Sequence, residues 1–209
     1  MRLVRRLIAA TVASLLGISA AGALTPIEPP SLASAVGAGQ LAPVAERLPK
    51  TPLITAVNGA GWTPGQHGGE LRVLMARPQD TRVLVMYSYA RLVGYDARFE
   101  LAPDILESLE VEQDRVFTMR LRRGHRWSDG HPFTAEDFRY YWQDVVLEKR
   151  LSPIGPPKLL LVGGKPPKVE FLDDVTIRFS WDKPNPDFLP ALAGGSPLFI
   201  FRPAHYMKR

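Results

Sequence analysis

The sequence predicts a mixed α/β fold, and three stretches predict it. "RVFTMRL", residues 115–121, alternates with a period of two, so Phe117, Met119 and Leu121 share one face of a strand. "VEFLDDVTIRFSW", 169–181, resumes that alternation around Asp173-Asp174, a turn pair, so a hairpin is expected with Val175, Ile177 and Phe179 on one face. Between them, "AEDFRYYWQDVVLE" changes to helical spacing, with Phe138, Tyr141, Trp142 and Val145 as the buried stripe.

The start of that helix is written into "RWSDGHPFTAEDF", 126–138. Asp129-Gly130 is a turn pair in which glycine takes positive φ without a Cβ clash. Thr134 is the expected N-cap, its hydroxyl accepting from the amide of Glu136 or Asp137. Both acids sit at the positive end of the helix dipole. The segment reads as a strand end, a tight turn and a capped helix.

Upstream the pattern is thinner. Seven prolines (26, 29, 30, 43, 49, 52 and 64) interrupt residues 24–69, with no sustained apolar period, so an extended arm is expected there. "ELRVLMA", 70–76, alternates well enough to be expected as a strand. "TRVLVMYSYARLV", 81–93, places Leu84, Val85, Tyr89 and Leu92 at helical spacing, so a helix is expected.

The first 23 residues read as a secretory signal. "MRLVRR" is a basic leader, "LIAATVASLLGIS" an apolar core short for a membrane span, and "AGA" at 21–23 a small-residue cleavage pattern. Arg5-Arg6 leaves both the general and the twin-arginine export routes open. The formal charge of +5 owes three units to the arginines of this leader, so it does not imply nucleic acid as a partner. With no cysteine, the chain has no disulfide, thiolate metal site or lipoprotein anchor. An exported periplasmic protein is expected.

Residues 89–142 also carry a resemblance. "YARLVGYDARFELAPDILESLEVEQDRVFTMRLRRGHRWSDGHPFTAEDFRYYWQDV" resembles the extracellular solute-binding proteins, family 5, of peptide and nickel ABC transporters. "FLDDVTIRFSWDKPNPDFLPAL" and "RPAHYMKR" resemble the segments that follow in that family. The resemblance covers roughly 70–209 and implies an α/β, periplasmic-binding-protein-like lobe of the type II, dipeptide/oligopeptide-binding kind. Members of the family are more than twice this long, so the lobe is expected to be incomplete, with the second lobe outside the chain. On that resemblance 70–209 is the N-terminal lobe and 24–69 its leading arm.

The resemblance implies a function without covalent chemistry: a peptide-like solute held between two lobes and delivered to an inner-membrane ABC permease complex, by a monomer that needs no cofactor. Its implied ligand-binding residues are Arg77, Pro78, Gln79 and Asp80, in the loop after the first strand. Ser152 and Ile154 follow from "LSPIGPP", where isoleucine stands at the position of the family's aromatic contact. Two other readings stay open: an exported hydrolase using His125, Ser128, Asp129 and His131, and an inactive truncated fragment. The hydrolase reading is weak, because a Ser-His-Asp machine needs side chains converging from separate elements beside an oxyanion hole. His125, Asp129 and His131 have a spacing compatible with a weak zinc site, but a surface histidine pair is the commoner cause, and no metal is expected. "VGGKPP" lacks the spacing of a phosphate loop.

The mature protein is expected to begin at Leu24 and to fractionate with the periplasm. Intact-mass measurement of the exported chain checks this, and a retained 1–23 segment rejects the cleavage position.

Overall fold

The computed structural model describes residues 25–55, 63, 65–84, 90–195 and 197–208. The expected signal segment lies outside the described residues, as do Val85 and Tyr89. A four-stranded antiparallel sheet carries the core, in the order β3-β4-β6-β5, from β3 (Leu106–Glu112), β4 (Val116–Leu121), β5 (Lys168–Phe171) and β6 (Thr176–Ser180). A smaller ladder joins β1 (Val93–Tyr95) to β2 (Leu101–Pro103).

The alternation read from 115–121 and 169–181 is realised in register. Phe117 pairs with Phe179 and Met119 with Ile177 across β4 and β6, and all four are buried. The opposite face is polar, with Arg178 Nε donating to Thr118 Oγ1 at 3.1 Å. The β3–β4 turn spans residues 113–115, with Gln113 and Asp114 at positive φ near 50° and Arg115 N donating to Glu112 O at 2.9 Å. The expected turn at Asp173-Asp174 is stabilised by Asp173, which accepts from Val175 N at 2.8 Å and Thr176 Oγ1 at 2.9 Å.

The apolar face is covered by helices. The α3 helix (Ala135–Arg139) runs into a π-helical turn, Tyr140–Val146. Phe138, Tyr141 and Trp142 are buried as expected, but Val146 takes the place expected of Val145. A π turn holds one more residue than an α turn, so the stripe slips by one position. The α4 helix (Phe188–Ala193) inserts Phe188 among Phe117, Phe179 and Trp181, with ring centroids 5.0, 5.3 and 5.0 Å away. Such offset and edge-on contacts add to the burial of the rings.

One expected element is absent, and the described ends of another take a different form. Residues 70–76 form no strand; they lie extended in solvent, Leu74 being 99% exposed. Alternation selects a strand's faces but supplies no ladder partner, and no strand among the described residues pairs with this segment. Of the helix expected over 81–93, residues 85–89 lie outside the described residues, and the described ends are not α-helical. Pro78–Leu84 is a 3₁₀ turn, and Val93 opens β1. The carbonyls of Arg91 and Leu92 accept from Ile105 N and Asp104 N at 2.9 and 3.0 Å, so cross-chain pairing prevails over the local period.

Ahead of the sheet, residues 25–55 hold two short helices, α1 (Ala33–Gly37) and α2 (Val44–Arg47), with no buried side chain. Arg47 pairs with Glu28. The segment then lies along the end of β4: Lys50 N donates to Arg123 O at 2.9 Å, and Arg122 Nη1 to Thr51 O at 3.1 Å. Gly124, at φ +99°, gives it room, since a Cβ there would stand 3.2 Å from Pro49 Cα.

The last helix, α5 (Ala204–Met207), closes on α3 through one buried carboxylate. Asp137, 2% exposed, accepts from Trp127 Nε1 at 3.1 Å, Thr134 N at 3.0 Å and Ala204 N at 3.0 Å. Thr134 is the N-cap as expected, accepting from Glu136 N at 3.3 Å and forming a capping box with Asp137.

Asp137→Asn replaces an acceptor facing three N–H groups with a partial donor, and is expected to cost about 3 kcal/mol. Thr134→Ala is expected to cost about 1 kcal/mol, and Trp127→Ala about 3 kcal/mol. Urea melts check the order, and an Asp137→Asn protein no less stable than Thr134→Ala rejects the role given to the carboxylate.

Candidate functional site

The sequence-expected site residues occupy two separate places. Arg77, Pro78, Gln79 and Asp80 form a turn in which Asp80 Oδ2 accepts from Arg77 N at 3.2 Å, with the two side chains 3.8 Å apart as an ion pair. Ser152 lies beyond the π turn, its amide donating to Glu148 O at 2.8 Å. Ile154 is 96% exposed. Among the described residues no hydrogen bond or ion pair joins the two groups.

The corner at 126–131 is where the structure gathers side chains from distant parts of the chain. Gly130, at φ +86°, makes the turn, and Gly130 N donates to Trp127 O at 2.9 Å. Trp127 N donates to His131 O at 2.8 Å. Trp127 packs edge-on against Phe133 at 5.4 Å and tilted against Phe201 at 6.1 Å. Two grooves flank this corner. One, of about 570 Å³, is walled by Ile105, Trp127, Phe133, Phe199, Phe201 and Pro203. The other, of about 650 Å³, runs between the corner and residues 40–47. Cavities of this size suit small ligands.

The four residues weighed for catalysis do not converge. Asp129 Oδ2 pairs with His205 Nε2 at 2.7 Å, a partner from α5 that no spacing in the sequence announced. That bond, first among the causes, holds the Asp129 carboxyl below its usual range. His131 stacks on His205 at 3.8 Å. Ser128 makes no hydrogen bond to a histidine among the described residues. His125 sits apart with its Nε2 buried and unpartnered, and burial lowers its pKa. No group of three or more His, Cys, Asp or Glu side chains among the described residues is placed to hold a metal ion. This arrangement braces α5 against the corner; it is not a nucleophile, base and orienter in line.

A second ionic network fastens the same helix. Arg139 meets Glu136 at 2.6 Å and Asp144 at 3.0 Å, and Lys208 reaches Glu136 at 2.9 Å. Hydrogen bonding to Arg139, then to Lys208, holds the Glu136 carboxyl down at about 2 against an ordinary value of 4.5.

The fold and its binding-shaped grooves place the chain among periplasmic-binding-protein lobes. An oligopeptide-binding protein OppA shares the fold with a TM-score of 0.71 and 34% identity, over 88% of this chain and 28% of that one. The periplasmic binding protein MelB of Agrobacterium fabrum, in complex with stachyose, shares it with a TM-score of 0.60 and 23% identity, over 88% of this chain and 31% of that one. Residues 100–204 match the family "Bacterial extracellular solute-binding proteins, family 5 Middle", and the chain belongs to it. The periplasmic alpha-galactoside-binding protein of Rhizobium meliloti is 30% identical over 83% of this chain and 27% of its own length. The periplasmic oligopeptide-binding protein OppA of Escherichia coli is 35% identical over 44% of this chain and 19% of its own. Both of these relatives are named as periplasmic binding proteins, and the chain spans about a quarter of their length or less.

The Glu136 carboxyl is depressed in the folded state, so its contribution is complete above about pH 4.5 and is lost as pH falls through about 2. Because the pair is half-exposed, solvent screens much of it and the effect is small. Thermal melts between pH 5 and pH 2 are expected to fall more steeply for the wild type than for Glu136→Gln; parallel curves reject the linkage.

Proposed function

We propose that this chain is part of the periplasmic substrate-binding component of an ABC transporter, taking a peptide-like solute between two lobes and presenting it to an inner-membrane permease. Family membership over residues 100–204 carries the reading. The 34% identity to an oligopeptide-binding protein of the same fold tilts it to peptides. Export follows from the leader read at 1–23 and agrees with relatives named as periplasmic. In this reading 24–69 is the arm of the lobe, and Arg77, Pro78, Gln79 and Asp80 face the solute with Ser152 and Ile154. Hinge closure, with the closed form recognised by the permease, supplies the mechanism and needs no cofactor.

A second solute class has its own support. The relative named for alpha-galactosides matches 83% of this chain, more than the 44% matched by the Escherichia coli oligopeptide-binding protein. The absence of an aromatic ring at Ile154 removes one contact implied for a peptide.

Nuclear magnetic resonance titration of the exported chain separates the two. One wall of a two-walled cleft retains only a fraction of a ligand's burial, so peptide binding is expected in the range of ~1 mM. Amide shifts at 77–80 and 152–154 on adding tripeptides to pentapeptides support the peptide reading. Shifts there with alpha-galactosides alone move the assignment to sugars. Shifts with neither sink the site, and hydrolysis of either solute sinks the binding reading.

A further inference from the structure

The groove between Trp127 and Phe201 has a chemistry that the peptide reading does not use. Its wall is aromatic, from Trp127, Phe133, Phe199 and Phe201, and none of the side chains lining it is acidic. Arg126 and Arg202 line the same space, Arg126 also lining the groove on the other side of the corner. Their hydrogen-bond acceptors are carbonyls: Arg126 Nη1 donates to Gly130 O at 2.8 Å, and Arg202 Nη1 to Phe201 O at 2.8 Å. Arg202 also lies over the Tyr141 ring at 5.2 Å. Neither has a carboxylate ion-pair partner among the described residues. His125, from the same lining, keeps a buried ring nitrogen without a hydrogen-bond partner.

An apolar wall favours an apolar body, and unneutralised guanidinium groups beside it favour an anion on that body. The volume, about 570 Å³, admits a two- or three-ring molecule. We propose that this groove is a binding site for an amphipathic organic anion, a ring system laid against Trp127 and Phe201 with its carboxylate, sulfate or sulfonate toward Arg126 and Arg202. The site goes beyond the solute cleft of the proposed function. It lies at the corner, not at 77–80 or 152–154, and stands or falls independently of which solute that cleft takes.

The test uses two probes with one ring system: 1-anilinonaphthalene-8-sulfonate and N-phenyl-1-naphthylamine, which lacks the sulfonate. Fluorescence titration of the full chain is expected to show one saturable site for the anion and at least tenfold weaker binding of the neutral probe. Raising salt from 20 to 500 mM is expected to weaken the anion and leave the neutral probe unchanged. The pair Arg126→Gln and Arg202→Gln, its fold checked by circular dichroism, is expected to bring the two probes within threefold of each other. Equal binding of both probes by the wild type overturns the proposal without recourse to any variant. So does uptake of several anions per chain with no response to salt, which marks the wall as an apolar seam that other polypeptide covers. A folded double variant that still prefers the anion tenfold also overturns it.

Discussion

The Asp137 carboxylate is the point on which this part of the molecule turns. It is buried, yet it accepts from the indole of the corner, the N-cap amide of α3 and the first amide of α5. One side chain thus holds the corner and the helix start together with a segment 67 residues further along the chain. A buried carboxylate is tolerated only when its oxygens are satisfied, and here donors from all three directions satisfy them. Remove it, and three donors lose their acceptor, that of Ala204 in a buried site. The helix start, the Trp127 ring and the closing helix therefore form as a unit.

That unit explains why a corner holding Ser, His and Asp is structural. Asp129 is engaged by His205, His131 lies flat on the same ring, and His125 is withdrawn into the wall. Polar groups that lock one another are ill placed to move protons on a substrate. What the corner does offer is shape: with Trp127 and Ser128 shared between them, two grooves open on either side. A surface of this kind holds ligands by burial and charge, in keeping with a family of solute-binding proteins.

The parts of the fold legible in the sequence are those governed by neighbours in the chain. Period-two alternation in β4 and β6, the Asp173-Asp174 turn and the Thr134 cap are all decided within a few residues, and each is present. Residues 70–76 and 81–93 mark the limit. The first has a strand's pattern and no ladder; the second has a helix's spacing, but its end is claimed by β1 and by pairing with 104–105. The one-residue slip from Val145 to Val146 has the same origin, since a π turn is a matter of packing and not of local preference.

For function the division is similar. The sequence by itself determined the family, through motifs in order from Tyr89 to Trp142, and with them β4 and the helix that starts after Thr134. It marked the corner with His125, Ser128, Asp129 and His131 as a group without showing what they touch. Only the tertiary structure decided that His205 and Phe201 reach back to that group, that Asp137 joins it, and that Arg126 and Arg202 line one groove without acidic partners. Local signals act through hydrogen bonds a few residues long, whereas these contacts span some seventy residues. They exist because the sheet and its helices bring the two ends of the motif-bearing segment together.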